Sequence, residues 1–394
     1  MKSYLGEIEP APQGISLPER LPYRSWVEIS RGQIAANFQA VRQVVGPDVE
    51  VMPVVKADAY RHGAVEVSRI LEEQGARWLA VSSVDEGIAL RNAGIKGRIL
   101  VMADFLPFTR EAMLQHELTP VIYSLGDLHE LEKLAIRKEE KIRYHLKLDT
   151  GMGRLGIRCE TESIGEAIRA AQHVELEGLM THFASAANYD SPQTDEQVLR
   201  FNTVVERLQR LGIHPRFVHL SSTIPIAYGR RSAWRGIVRP GHAIYGYVSP
   251  SRGSAPEKIL DVKPALSWRA SVLAVKDMPK GALIGYGGMF RASRPMRVAV
   301  LAAGYADGIP HRLSNRGHVI ARGRLVPIVG AVSMDLTTID ITEVPNMMVG
   351  DAVTLLGVEG AVRIDAQEIA RLAGTISYSV LCGIHARVKR IYTD

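Results

Sequence analysis

The chain has 394 residues, of which 46% are apolar and 23% charged, with a formal net charge of +6 at pH 7. That balance describes a globular chain long enough for about two to three domains or one large barrel with an appendage. Lys and Arg are scattered with no basic tract interleaved with aromatics, and no apolar run reaches the roughly 18 residues that cross a bilayer, so nucleic-acid binding and a membrane-spanning helix are both excluded as expectations.

In chain order, residues 1–23 are rich in Pro, Gly and Glu and carry no secretory pattern, so they are expected to be a lead-in. Cys159 and Cys382 are the only cysteines and have no metal-ligand spacing, which points to a reducing, cytoplasmic setting. From residue 24 to 262, short apolar runs at 51–55, 78–81, 99–102, 119–122, 144–148, 176–180, 217–220 and 237–238 are strand candidates. Helical patterns fall between them at 34–45, 64–74, 84–93, 127–138, 164–172 and 196–211. Strands alternating with helices in this way predict an α/β fold, a closed parallel (β/α)8 barrel of the TIM type, with reactive groups at the C-terminal strand ends. Residues 263–394 change texture to Gly- and Pro-separated β segments with one helix near 366–373, which predicts a second, mainly β domain.

Lys56 follows the apolar Val51-Met52-Pro53-Val54-Val55, so burial is expected to disfavour its ammonium and leave an amine able to form Schiff bases. The plainer alternative is a lysine that snorkels out of a strand end. A GxGxxG string at 151–156 follows a strand, yet Asp149 and Thr150 intervene and no helix opens on the glycines. A strand-end loop aiming Arg154 at a carboxylate fits better than a dinucleotide turn. His182 lies at another strand end. The Ser221-Ser222-Thr223 and Arg239-Pro240-Gly241-His242 segments fall after the seventh and eighth strands, where barrels commonly bind phosphate. Taken alone, glycine-flanked Tyr286 reads as a turn residue, and Tyr378 is uninformative.

The segment Val54-Val55-Lys56-Ala57-Asp58-Ala59-Tyr60-Arg61-His62-Gly63 resembles the cofactor-lysine signature of the fold-type III, pyridoxal-phosphate-dependent alanine racemases. The segments 147–156, 181–183, 238–246, 285–287, 304–308, 333–335 and 377–378 are similar to that family's remaining blocks in the same order. The resemblance implies a pyridoxal 5'-phosphate enzyme interconverting L- and D-alanine for cell-wall peptidoglycan, working as a homodimer with shared sites. It implies Lys56 as the Schiff-base lysine and Tyr286, from the partner chain, as the second base. It assigns Tyr60, Ser222, Thr223, Gly241, His242 and Tyr378 to the cofactor, mostly its phosphate, with Arg239 facing the pyridine nitrogen and His182 tuning the site. Arg154 and the Met334 backbone are implied as substrate-carboxylate ligands, with Lys147, Tyr305 and Asp335 in support; a carbamate on Lys147 belongs to the same pattern.

The pattern is departed from in three places: Arg61 replaces a glycine, the Ser222-Thr223 pair replaces Asn-Ser, and His242 replaces an apolar residue. A broader amino-acid racemase acting on serine or basic residues is the alternative within this chemistry. A decarboxylase of the same fold type is disfavoured, because Arg239 stands where an acidic residue would have to protonate the ring nitrogen. A single-domain cofactor carrier would lack residues 263–394.

Overall fold

The computed structural model describes residues 23–158 and 160–394; Cys159 and all but the last residue of the 1–23 segment lie outside them. Six strands form one parallel sheet in sequence order: Trp78–Val81, Arg98–Val101, Leu118–Ile122, Ile142–Lys147, Val174–Met180 and Phe217–His219. The first and last expected strands pair with each other, Glu50–Val51 alongside Ile237–Val238. This pair joins the sheet on both sides. Val55 N–H donates to the Ala80 carbonyl and Arg239 N–H to the Ser221 carbonyl, each at 2.9 Å. The curled sheet of eight is the expected barrel. Trp78–Val81 and Leu118–Ile122 are buried at every position, as strands covered on both faces must be.

The helices arise where capping and spacing coincide. Arg31–Val45 begins at Ser30, whose hydroxyl accepts from Gln33 N–H at 3.1 Å, and buries Ile34, Phe38, Val41 and Val45 on one stripe. Val84–Asn92 opens on a reciprocal Ser83–Glu86 capping box. The short helix Arg110–Gln115 was not expected, because its six residues carry too little periodicity to register.

The second domain is built on a nine-stranded sheet. Its longest strand, Leu266–Met278, pairs with Ala352–Glu359 on one edge and, on the other, with Ser25–Ser30 early in the chain and then Met296–Leu301. Ser25–Ser30 also runs parallel to the final strand, Lys389–Thr393, so the two ends of the described chain lie side by side. The single late helix expected near 366–373 is there as Ala366–Ala373, capped by Asp365, but a second follows at Ser377–Gly383. That second helix carries Tyr378.

The domains are stitched by a buried polar contact. Asn37 donates to the carbonyls of Ile244 and Lys263 at 3.0 and 2.9 Å and accepts from Lys263 N–H at 3.0 Å. Gly246 makes this approach possible, having a φ of 91° and a position where any Cβ would sit 1.9 Å from the Lys263 carbonyl oxygen.

Candidate active site

Lys56 begins a turn in which Ala57, Asp58, Ala59, Tyr60 and Arg61 all have φ between 51° and 67°. Left-handed backbone costs L-residues roughly 1–2 kcal/mol each, so the turn persists only where its surroundings hold it. Glu86, in the first turn of the Val84–Asn92 helix, accepts from Ala57 N–H at 2.6 Å; Asp58 accepts from Ala64 N–H at 2.8 Å; and the Tyr392 hydroxyl donates to the His62 carbonyl at 3.0 Å. The lysine is therefore aimed by three separate elements. Arg61, which replaces a glycine in the pattern, tolerates φ 67° and donates from Nε to the Cys382 carbonyl at 3.3 Å.

Around Lys56 the barrel mouth gathers cations. Burial, and then the Arg154 guanidinium, lowers the Lys56 pKa from its ordinary value. Burial followed by Arg154, Arg239 and Lys56 brings Lys147 down to about 8. His182 is held at about 3 by burial and then by Arg239, Lys147, Arg154 and Lys56. Both ammonium groups are thus weakened, and the imidazole is neutral at neutral pH, in a site that attracts anions. The glycine string at 151–156 is a loop, as expected: Asp149 Oδ1 accepts from the amides of Gly151, Met152 and Gly153 at 2.9–3.0 Å. That leaves Arg154 exposed at its tip.

Next to this cluster lies a cradle. Thr223 Oγ1 accepts from Gly241 N–H and Ala243 N–H, both at 3.2 Å, and Ser222 stands at the start of the Thr223–Ala227 helix. A Cβ on Gly241 would sit 2.4 Å from the Tyr60 hydroxyl, so only glycine leaves that space open. The rings of Tyr60, His242 and Tyr378 surround it, with Tyr60 to Tyr378 at 6.0 Å and His242 to Tyr378 at 3.8 Å. Both His242 ring nitrogens are buried without a partner among the described residues. Hydroxyls, a glycine-lined gap and orphaned imidazole nitrogens beside an amine of lowered basicity match the phosphate and aldehyde ends of pyridoxal phosphate, so the residues present fit the cofactor.

Arg239 is fully buried, and burial lowers it to about 10. Its Nη1 donates to His219 Nδ1 at 2.8 Å and to the His219 carbonyl at 2.9 Å, and its Nη2 donates to the Thr181 carbonyl at 2.7 Å. Guanidinium has no acceptor, so His219 must carry its proton on Nε2. That proton is given to His145 Nδ1 at 2.9 Å. His145 must then be protonated on Nε2, which faces Glu177 at 3.6 Å, and Glu177 accepts from both Arg98 nitrogens at 2.6 and 2.7 Å. Donation therefore runs from Arg239 through His219 to His145, whose Nε2 lies just beyond hydrogen-bond distance of the carboxylate that Arg98 holds from the other end, and this buried polar run fixes the guanidinium. Sequence reasoning missed His219, His145, Glu177 and Arg98 as site-supporting residues. The available signal was Glu177, a carboxylate set directly before the Gly178-Leu179-Met180 end of its strand, where burial would oblige it to find a partner, unlike the exposed Glu175 two residues earlier.

Apart from Tyr378, the second-domain candidates are not gathered with these. Tyr286 is 77% exposed, Met334 55% and Tyr305 45%. They stand on the domain's surface rather than inside their own barrel. Tyr305 N–H donates to the Ser333 carbonyl and Ala306 N–H to the Met334 carbonyl, both at 2.9 Å, so these two loops are tied together. Asp335 accepts from Arg387 at 2.7 Å, and Arg387 also grips Asp307 at 2.7 and 2.9 Å, giving Asp335 a bracing contact.

A barrel with a basic, lysine-centred mouth beside an anion cradle, joined to a β domain displaying an exposed tyrosine, defines a two-domain barrel enzyme with an anion site. The family profile "Alanine racemase, N-terminal domain" matches residues 29–250, and "Alanine racemase, C-terminal domain" matches 265–392. An alanine racemase from Halothermothrix orenii is 39% identical over 95% of this chain and 98% of its own length. The structure of alanine racemase from Bacillus anthracis with bound L-Ala-P superimposes with a TM-score of 0.86 at 34% identity, covering 95% of this chain and 96% of that one. The alanine racemase from Bartonella henselae with covalently bound pyridoxal phosphate gives 0.83 at 26% identity, covering 94% and 100%. The chain belongs to the alanine racemase family, and it is an isomerase. Among the described residues no helix is long and apolar enough to cross a membrane.

Proposed function

We propose that this chain interconverts L-alanine and D-alanine with pyridoxal 5'-phosphate, as a homodimer in the cytoplasm, and so supplies D-alanine for peptidoglycan. The observation that carries this reading is the division of the site. Lys56 and the cradle face one another in the barrel, while the second candidate base, Tyr286, is displayed outward where a second copy can receive it.

Pyridoxal phosphate, when bound, supplies the electron sink that makes the α-proton of alanine labile. Tyr60, Thr223, Gly241, His242 and Tyr378 would hold its phosphate end, Ser222 would lie beside the ring, and Arg239 would face the pyridine nitrogen. A guanidinium locked by the His219 chain does not surrender a proton, so the sink stays weak and side reactions such as transamination are restrained. Arg154 and the Met334 backbone orient the substrate carboxylate. The lowered Lys56 amine takes the α-proton on one face, and Tyr286 of the partner chain returns one to the opposite face, as inversion requires. His182 stays uncharged beside Arg239 and tunes the tyrosine.

The test is subunit complementation. Lys56→Ala and Tyr286→Phe proteins are each expected to be inactive. In a heterodimer, one of the two sites would carry both defects and the other neither, so mixing should restore up to about half of the heterodimer's sites. Mixtures shown to exchange subunits that regain no activity would mean that both bases come from one chain.

A further inference from the structure

His242 is 1% exposed, and neither of its ring nitrogens has a hydrogen-bond partner among the described residues. A buried polar ring left in that condition is costly, and the cost is explained when a ligand completes it. The ring is stacked between two tyrosines, 3.8 Å and 23° from Tyr378 on one side and 5.1 Å and 20° from Tyr247 on the other, with Tyr60 at 6.3 Å. It directly follows Gly241, whose open space and Thr223 contact form the cradle. It is also one of the three places where the sequence departs from the resemblance set out above.

We propose that His242 is the proton-accepting member of the phosphate cradle: its imidazole takes one proton from solvent as a phosphate group enters, and the resulting imidazolium is held between the Tyr378 and Tyr247 rings. The inference rests on the cradle being the cofactor's phosphate site. The titratable groups facing the ring are Tyr378, Tyr247, Tyr60 and His62. Burial raises all three phenols, and burial holds His62 at about 4, so all four are uncharged at neutral pH. The phosphate's charge therefore decides the state of His242. Without it, burial and then His62 keep the ring neutral, at about 3. A phosphate anion entering the cradle beside the ring raises that value, because a neighbouring negative charge favours the imidazolium. A protonated ring between two aromatic faces gains cation–π attraction in addition. In this chain, cofactor binding is thus coupled to proton uptake, and phosphate is held more tightly as pH falls from about 8 to 5.

The experiment uses the full-length chain stripped of cofactor and titrated with pyridoxamine 5'-phosphate, which has no aldehyde to react with Lys56. Binding to the unsubstituted protein, His242→Leu and His242→Gln is measured from pH 5 to 8. The unsubstituted protein should bind about tenfold more tightly than either variant at pH 5, and the difference should vanish by pH 8. Nitrogen-15 NMR of histidine-labelled, unsubstituted protein should show His242 becoming doubly protonated on ligand addition near pH 5.5, a readout that needs no variant. A ratio of affinities independent of pH, or a ring that stays neutral with ligand bound, overturns the proposal. If folded, unsubstituted protein fails to bind at any pH, the phosphate-cradle reading is what fails, and the proposal falls with it.

Discussion

Glu177→Gln tests the chain of contacts behind Arg239. Glu177 is 3% exposed and bound by both Nη atoms of Arg98, whose Cζ sits over the Trp78 ring at 3.9 Å. Burial pushes its carboxyl up, but the facing His145 N–H and the hydrogen bonds and charge of Arg98 prevail and hold it at about 2, against 4.5 ordinarily. At 1.36 kcal/mol per pH unit, that difference corresponds to about 3 kcal/mol, reduced to about 2 because Arg98 is one-third exposed and screened. Gln keeps one oxygen for His145 but must turn its NH2 toward Arg98. The opposite orientation would reverse both histidine tautomers and set a His219 N–H against the Arg239 donor. Urea unfolding followed by a barrel-sensitive probe should therefore show the variant about 2 kcal/mol less stable at pH 7. The carboxylate is depressed in the fold, so its contribution is complete above pH 4.5 and fades as pH falls toward 2. The gap between the two proteins should close over that window. A gap below about 0.5 kcal/mol at pH 7, or one that stays constant down to the acid limit, would refute the reasoning.

The remaining expectations concern neighbouring residues. Gly178→Ala should cost about 1–3 kcal/mol by urea unfolding, since the new Cβ would fall 2.5–2.6 Å from the His145 ring, which cannot retreat without losing His219; a neutral result would mean that the ring moves freely. Lys147, buried and lowered to about 8 among cations, is expected to be carbamylated by carbon dioxide; electron density with no extra atoms on Lys147, from crystals grown with bicarbonate, would contradict it. Tyr286→Phe should nearly abolish racemisation, by about 10² to 10⁴-fold, yet still exchange deuterium into D-alanine through Lys56; equal loss of exchange with both enantiomers would count against two bases. Borohydride should attach the cofactor to the Lys56 peptide, and a Lys56→Ala protein labelled on the same peptide would contradict that lysine's role.

Much of this protein is set by local sequence. The apolar runs specify the barrel strands because a doubly covered parallel strand leaves no polar face to encode, and Ser30, Ser83 and Asp365 mark helix starts because unpaired amides there need a nearby acceptor. Lys56 was legible for the same reason: a cation placed directly after buried residues must be perturbed. Tertiary structure alone decided how separate segments meet. Ser25–Ser30 looks like the threshold of the barrel, yet it pairs with strands more than 200 residues later, because backbone hydrogen bonds carry no trace of sequence distance. The left-handed turn at Ala57–Arg61 contains no glycine to announce it and exists only because Glu86, Asp58 and Tyr392 hold it. The Arg239–His219–His145–Glu177–Arg98 chain joins residues from four strands. Their pairing depends on which side chains the closed barrel turns toward one another, which periodicity along any single strand does not encode.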